Sequence, residues 1–272
     1  MDRFYQLLKN SEFCTVFTGA GISTLSGIPD FRSPNGVYSK KFQGMDVEEI
    51  LSIDCFLRTP ALYYEWAKPF IYELDKYSPN VVHRVIAELE KRGIVKMTYT
   101  QNIDLLHQRA GSVKIGELHG SPEIHTCLKC GKKFAYPEIC SKVLKNEVPH
   151  CDSCGGLVKP NIVFYGESLD ENLLISAEMN LRKSDLLLVL GSSLTVNPAA
   201  MLPRIVLESG GKIVIVNRQP TPLDRFAELK FDDLKEVFEG LENNLKNDRG
   251  RDCQKSRSEI LAGLQKRQDR EF

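Results

Sequence analysis

The sequence predicts an α/β protein with a doubly wound parallel sheet, interrupted by a helical insertion and by a small cysteine-bearing module. Four short segments, Cys14 to Thr18, Val95 to Thr100, Leu186 to Leu190 and Lys212 to Val216, are β-branched or leucine-rich and end in small or polar residues, as buried parallel strands do. Helical spacing lies between and after them: Val82, Val85, Ile86 and Leu89 before a stop at Gly93, and Leu234, Val237, Phe238 and Leu241 near the C-terminus. Strand and helix in alternation put helices on both faces of a parallel sheet.

Composition bounds what such a chain does. At 272 residues and 30.8 kDa it holds one large domain with a module attached, or two small domains. Lys plus Arg and Asp plus Glu each total 36, and 42% of residues are hydrophobic, so disorder is excluded as the main state. Zero net charge removes the footprint of a protein built to grip phosphate backbones or anionic membranes; no direct nucleic-acid binding is expected. Met1-Asp2-Arg3-Phe4 leads into polar Lys9-Asn10-Ser11-Glu12, and no apolar run approaches the roughly 18 residues of a membrane helix. A soluble cytoplasmic protein is predicted. Eight cysteines are too sparse for a secreted disulfide scaffold, and Cys14, Cys55, Cys140 and Cys253 are scattered.

Taken in order, the first strand is followed by Thr18-Gly19-Ala20-Gly21-Ile22-Ser23-Thr24. Small residues here let a backbone approach phosphates, with N–H groups at a helix start facing the anion. Any tight strand-to-helix turn also uses two glycines, so both readings stand. The next segment, Gly27-Ile28-Pro29-Asp30-Phe31-Arg32, is a loop rather than a helix-to-strand return, which disfavours an ordinary Rossmann dehydrogenase. From about Ser33 to Pro79 the chain is rich in aromatics (Tyr38, Phe42, Phe56, Tyr63, Tyr64, Trp66, Phe70, Tyr72) without a clear strand, which predicts a helical insertion.

The strand Val95 to Thr100 ends in Gln101-Asn102-Ile103-Asp104, three polar side chains at the sheet edge where ligands bind in open α/β folds. Amides there position a ribose or water, and a carboxylate accepts from a carboxamide; helix capping by Asn102 or Asp104 is the equal alternative. His107 reads as a packing or capping histidine. Leu118-His119-Gly120 lies before the cysteine module, where a histidine can act as general base near neutral pH. Cys127-Leu-Lys-Cys130, twenty residues, then Cys151-Asp-Ser-Cys154 form two CxxC knuckles that close a tetrahedron around Zn²⁺. Four thiolates leave no open position, so this zinc is structural, and neither His125 nor His150 is needed as a ligand. Gly191-Ser192-Ser193 and Asn217 end the third and fourth strands on the same edge. From Glu242 to Phe272 the chain is charge-rich with weak apolar spacing (Ile260, Leu261, Leu264), which predicts a solvated helix or a disordered tail.

Together these residues resemble the sirtuin family, the NAD-dependent protein-lysine deacylases. The likeness runs from about Phe13 to Glu239 and rests on Gly19-Ala20-Gly21-Ile22-Ser23, Gly27-Ile28-Pro29-Asp30-Phe31-Arg32, Thr100-Gln101-Asn102-Ile103-Asp104, Leu118-His119-Gly120, the four cysteines, Pro160-Asn161-Ile162-Val163 through Gly166-Glu167, and Gly191-Ser192-Ser193-Leu194. It implies a discontinuous Rossmann-like NAD domain (residues 1–33, 80–120 and 158–241), a helical insertion with the cofactor loop (34–79), a zinc-ribbon module (121–157) and a charged tail (242–272). By the same resemblance Ala20, Gly21 and Thr24 serve the pyrophosphate, and Asp30, Phe31 and Arg32 form the loop over the nicotinamide ribose. Ile103 and Asp104 hold the carboxamide; Gln101 and Asn102 contact the ribose and order water. Gly191, Ser192 and Asn217 take the adenosine half, with Leu234 and Lys235 beside the adenine. Val163, Phe164 and Tyr165 line the acyl-lysine tunnel and pair with the substrate backbone, with Val196 and Asn197 opposite.

The resemblance implies a reaction that consumes NAD: the acyl oxygen attacks the anomeric carbon through an oxocarbenium-like state, nicotinamide leaves, and His119 deprotonates a ribose hydroxyl that attacks the alkylamidate. Catalysis rests on His119 and Asn102; products are lysine, nicotinamide and O-acyl-ADP-ribose. One structural zinc and acylated lysine proteins or peptides complete the set, with the enzyme a monomer of bacterial or archaeal type. Tyr165 departs from the family's usual Phe and puts a hydroxyl at or near the tunnel. The branch that removes acidic acyl groups carries Tyr-x-x-Arg where this chain has Tyr64-Glu65-Trp66-Ala67, so an acetyl or other uncharged acyl group is expected. Two alternatives share the residues: a mono-ADP-ribosyltransferase or NAD glycohydrolase, and a non-catalytic NAD-sensing zinc-ribbon module. The intact His119 and tunnel residues favour deacylation over the first, and neutral charge with the full catalytic set argues against the second.

Overall fold

The structure, a computed structural model, describes residues 2–31, 33 and 36–248. In chain order the strands are β1 (Cys14–Thr18), β2 (Lys41–Phe42), β3 (Met45–Asp46), β4 (Val95–Thr100), β5 (Ile115–Glu117), β6 (Gly120–Cys127), β7 (Lys133–Ala135), β8 (Val158–Ile162), β9 (Leu186–Leu190), β10 (Lys212–Val216) and β11 (Leu229–Phe231). The four expected strands coincide with β1, β4, β9 and β10. Six strands form one sheet in the order β11-β10-β9-β1-β4-β5, parallel at every pairing. Strand order reverses at β1, between β4 and β9, which is the switch point where open α/β sheets bind ligands.

Alternation along the strands builds two cores. Val16, Leu186, Leu188, Leu190, Val214 and Val216 face one side, with Phe4, Leu8, Val82, Val85, Leu89 and Phe238 from the covering helices. Phe17, Leu187, Val189, Ile213 and Ile215 face the other, against Ala177, Leu181, Leu202 and Val206. With both faces buried, the strands read as unbroken apolar runs, and each buried aliphatic contributes on the order of 2 kcal/mol.

Three elements differ from expectation. Helix Asp2–Asn10 is present, and its buried Phe4, Tyr5 and Leu8 are its only apolar anchors besides half-buried Leu7. The helix over residues 234–248 runs through the expected tail boundary at 242: Leu245 is buried in the first core, and the Tyr5 hydroxyl donates to Asp248 at 2.7 Å. The charge around that single leucine hid the extension, and residues 249–272, with Cys253 and the Ile260–Leu264 spacing, lie outside the described residues. The turn after β1, Ala20–Ser26, is a 3₁₀ helix rather than an α-helix start.

The two interruptions share a core. Phe56, Tyr63, Tyr64, Trp66 and Tyr72 of the insertion pack with Phe134, Ile139, Val143 and Val158 of the cysteine module and with Phe164. The insertion is helical over Val47–Ile50, Ile53–Arg58 and Pro60–Ile71, with one short antiparallel pair, β2–β3. The module is a three-stranded antiparallel sheet, β7-β6-β8. The Tyr64 hydroxyl donates to the Val158 carbonyl at 2.5 Å, tying one to the other. Among the described residues no helix is long and apolar enough to cross a membrane.

Candidate active site

Every loop at the carboxyl edge of β1, β4, β9, β10 and β11 opens into one cleft of about 970 Å³. Ala20, Gly21, Thr24, Asp30 and Phe31 enter it after β1, and Gln101, Asn102, Ile103 and Asp104 after β4. His119 follows β5; Val163, Phe164 and Tyr165 follow β8; Gly191, Ser192, Val196 and Asn197 follow β9. Asn217 follows β10, and Leu234 and Lys235 begin the helix beyond β11. Arg32 lies outside the described residues.

The floor is built by loops that touch through backbone. The Gly21 N–H donates to the Gly191 carbonyl at 2.8 Å, and the Gly19 N–H to Leu190 at 3.0 Å. A Cβ on Gly21 would sit 2.8 Å from Gly191 Cα, and one on Gly191, whose φ is +59°, would sit 2.4 Å from the Ile22 nitrogen. The glycines therefore bring the β1 and β9 loops together, and the Gly21 N–H is already used there. Ser23, to which the sequence pattern assigns no role of its own, bridges the floor: its hydroxyl donates to Asp104 Oδ2 at 2.5 Å and accepts from Asn102 Nδ2 at 3.1 Å. The other Asp104 oxygen accepts the Leu106 N–H at 2.9 Å, so Asp104 holds the entry to helix Leu106–Arg109, whose N-cap position is Leu105, while lining the cleft. Burial pushes the Asp104 carboxyl up, against the Ser23 and Leu106 donors. Asn102 is no cap; its amide reaches Ser23 and, at 3.2 Å, the Gly19 carbonyl. Gln101 Oε1 accepts from the Ser192 hydroxyl at 2.8 Å, joining the β4 and β9 loops.

His119 is fixed from three sides. Its neighbour Leu118 donates to the Thr100 carbonyl at 2.9 Å, and its own carbonyl accepts the Val163 N–H at 2.8 Å. The ring Nδ1–H donates to the Gln101 carbonyl at 2.9 Å. A carbonyl only accepts, so this bond keeps the neutral ring's proton on Nδ1 and makes Nε2 the basic nitrogen.

From β8, Lys159, buried, pairs with Glu167 at 2.9 Å, and Glu167 also accepts the Phe164 N–H at 2.8 Å. Tyr165 gives its N–H to the Leu51 carbonyl and takes the Ile53 N–H, so its main chain is already paired with the insertion. Its hydroxyl meets that of Tyr38 at 2.9 Å, and Tyr38 also packs against Phe31 at 5.2 Å. Leu51, Trp66, Phe70 and Ile71 line the same cleft, whereas Tyr64 and Ala67 are buried in the core. Among the described lining residues the Lys and Arg side chains are Arg218, from the loop after β10, and Lys235, from the start of the helix after β11. Arg218 follows Asn217 directly, the one signal that would have found it.

The four module cysteines converge. Cys127 and Cys154 Sγ are 3.5 Å apart, Cys130 and Cys151 Sγ 3.7 Å, and all four lie within 4.8 Å of one another. A tetrahedral Zn²⁺ with bonds of about 2.3 Å needs sulfurs about 3.8 Å apart, so the set fits that ion. Gly156 permits the approach, since a Cβ there would lie 2.8 Å from Cys127 Sγ. His125 instead bonds the Tyr72 hydroxyl through Nε2 at 2.8 Å, and His150 Nδ1–H donates to the Gly155 carbonyl at 3.2 Å.

Known proteins match this arrangement. The Sir2 family profile covers residues 19–198, and the chain belongs to that family. An NAD-dependent protein deacetylase of Thermotoga maritima is 46% identical over 231 residues, 85% of this chain and 92% of that protein. An NAD-dependent protein deacylase of Archaeoglobus fulgidus is 43% identical, over 83% of this chain and 87% of that one. A solved Sir2 structure with a p53 peptide and NAD⁺ superposes with a TM-score of 0.82 at 43% identity, over 90% of this chain and 98% of that one.

Proposed function

We propose that this protein is an NAD-dependent protein-lysine deacetylase that transfers an uncharged acyl group from lysine to ADP-ribose. The observation that carries the reading is the cleft at the sheet's switch point, where His119, its Nδ1–H given to the Gln101 carbonyl, lines the same space as the hydrogen-bonded Asn102, Ser23 and Asp104. Bound there, NAD supplies the ADP-ribose acceptor and a nicotinamide leaving group. Asp104, with Ile103, holds the carboxamide; Asn102 and Gln101 orient the ribose; His119 Nε2 takes the hydroxyl proton. Ala20, Gly21, Thr24, Asp30, Phe31 and Arg32 enclose the phosphates and ribose, and Gly191, Ser192, Asn217, Leu234 and Lys235 the adenosine. Val163 and Phe164, with Val196 and Asn197 opposite, take the acyl-lysine segment. The Tyr165 main chain, already paired with the insertion, leaves Tyr165 a side-chain role.

Cys127, Cys130, Cys151 and Cys154 hold one zinc that stabilises the module and takes no part in the chemistry. A monomeric working unit is part of this reading. In addition to the four module cysteines, Cys14, Cys55 and Cys140 are thiols, which suits a reducing compartment, the cytoplasm. The test is an acetyl-lysine peptide incubated with and without NAD: NAD-dependent deacetylation with O-acetyl-ADP-ribose supports the reading, and hydrolysis of NAD without deacetylation overturns it.

A further inference from the structure

Among the described residues Lys159 is the one lysine or arginine that is buried, at 7% exposure within β8. An ammonium taken out of water is costly unless its hydrogens find acceptors. Lys159 has three hydrogens, and three acceptors surround them: the Ile162 carbonyl at 2.8 Å, Glu167 Oε2 at 2.9 Å and the Pro160 carbonyl at 3.2 Å. The same Glu167 oxygen takes the Phe164 N–H at 2.8 Å, and the Glu167 N–H donates to the Phe164 carbonyl at 3.0 Å. The ammonium also stands over the Phe164 ring, 4.3 Å from its centroid. Phe164 is thus held at its N–H, its carbonyl and its ring by these two charged residues. Its ring, which lines the cleft, meets Phe56 and Tyr63 of the insertion at 5.2 and 4.9 Å.

We propose that the Lys159–Glu167 ion pair positions Phe164 for the acyl-lysine segment and so sets peptide affinity independently of NAD. The neighbours of Phe164 are anchored elsewhere: Val163 gives its N–H to the His119 carbonyl, and Tyr165 pairs with Leu51 and Ile53. Phe164 stands between them with both main-chain bonds on Glu167, and Glu167 is in turn fixed by the buried ammonium. A fold that needed only a filled core would place an apolar side chain at 159, since replacing a buried pair by apolar groups is often neutral or stabilising. What the charge adds is a fixed segment between β8 and the cleft. Lys159 does not line the cleft, so it is a positioning residue acting through Phe164. The effect on substrate rests on the acyl-transfer reading; the anchoring of Phe164 does not.

The test is steady-state kinetics of the full zinc-loaded chain with an acetyl-lysine peptide and NAD, beside NMR amide exchange at Phe164, for K159M, K159R and K159M/E167Q. K159M should raise KM for the peptide about tenfold and leave KM for NAD within about twofold, because misplacing a positioned group by part of an ångström costs on that order. Its Phe164 amide should exchange at least about tenfold faster, since the carboxylate that accepts it is no longer held. K159R, which keeps a cation for Glu167 and for the Phe164 ring, should recover most of both losses. K159M/E167Q leaves no unpaired charge, so it should fold, retain zinc and show the same peptide KM as K159M. An unchanged peptide KM in folded K159M or K159M/E167Q, an equal rise in both KM values, or K159R no better than K159M overturns the proposal. If the wild type transfers no acyl group, that reading alone fails, and Phe164 amide exchange in the variants still decides this one: faster exchange upholds the anchoring, and unchanged exchange overturns it.

Discussion

Gly191→Ala is the substitution whose cost the fold states most sharply. At φ +59° an alanine takes on the left-handed penalty of about 1 kcal/mol. Its Cβ, 2.4 Å from the Ile22 nitrogen and 2.7 Å from the Gly21 carbonyl carbon, meets backbone that cannot rotate away, which costs about 2 kcal/mol. Separating the loops also breaks the 2.8 Å bond from the Gly21 N–H, worth about 1 kcal/mol. Together the loss is about 4 kcal/mol, which lowers Tm by about 12 °C in a domain of this size. Two controls isolate the terms. Gly210→Ala, at φ +84° with nothing within 4 Å, meets the dihedral cost alone and loses about 3 °C. Gly21→Ala has ordinary φ but a Cβ 2.8 Å from Gly191 Cα, and loses about 6 °C. Thermal melts of the three, with NAD binding by calorimetry, check the order: Gly191→Ala and Gly21→Ala should weaken NAD binding, and Gly210→Ala should leave it intact. Equal shifts for Gly191→Ala and Gly210→Ala would refute the packed-loop floor.

Four other perturbations have equally definite outcomes. Cys151→Ser should abolish binding of one zinc per chain, read by metal analysis, and unfold the module while the parallel sheet persists in circular dichroism. His119→Ala should lower the deacetylation rate about 10²- to 10⁴-fold while NAD still binds, as loss of a general base does. Tyr165→Phe removes a partly exposed hydroxyl pair, so kcat/KM for an acetyl peptide should move less than about threefold, and succinyl-lysine should remain a poor substrate of both forms. Acid should unfold the chain early: His83, His107 and His125 are buried with pKa values lowered by burial to about 2, 4 and 3. Their stabilisation is complete above the unfolded value near 6.5 and falls by up to about 1.4 kcal/mol per histidine per pH unit toward those folded values. Urea melts from pH 7 to 4.5 read this slope, and a flat profile would contradict it.

Much of this molecule is legible in its sequence because period and spacing are local. Cys14 to Thr18 and Leu186 to Leu190 announce buried strands by having no polar face, and two CxxC knuckles carry their geometry in four residues. Residues of the cleft are legible because a parallel sheet delivers the ends of all its strands to one edge, so Gln101, Ser192 and Asn217 meet although far apart in sequence. What stayed hidden depends on partners. Leu245 is one buried leucine among charges, β5 is three residues long, and the Asp2–Asn10 helix anchors through few apolar side chains. Ser23 looks like any small turn residue until Asn102 and Asp104 arrive from another loop. The glycines at 19 and 21 fit a phosphate-cradling pattern, yet their contacts show a loop-packing requirement that no local pattern encodes. Tyr165 was visible as a departure, but its partner Tyr38 was not.

The most direct test of acyl transfer to ADP-ribose is the stoichiometry of one reaction, an acetyl-lysine peptide with NAD and the purified protein, followed by mass spectrometry beside His119→Ala. Nicotinamide, deacetylated peptide and O-acetyl-ADP-ribose should appear in equal amounts, and the variant should form all products far more slowly. Nicotinamide released with the peptide still acetylated, or an ADP-ribose mass added to protein in place of deacetylation, would contradict it.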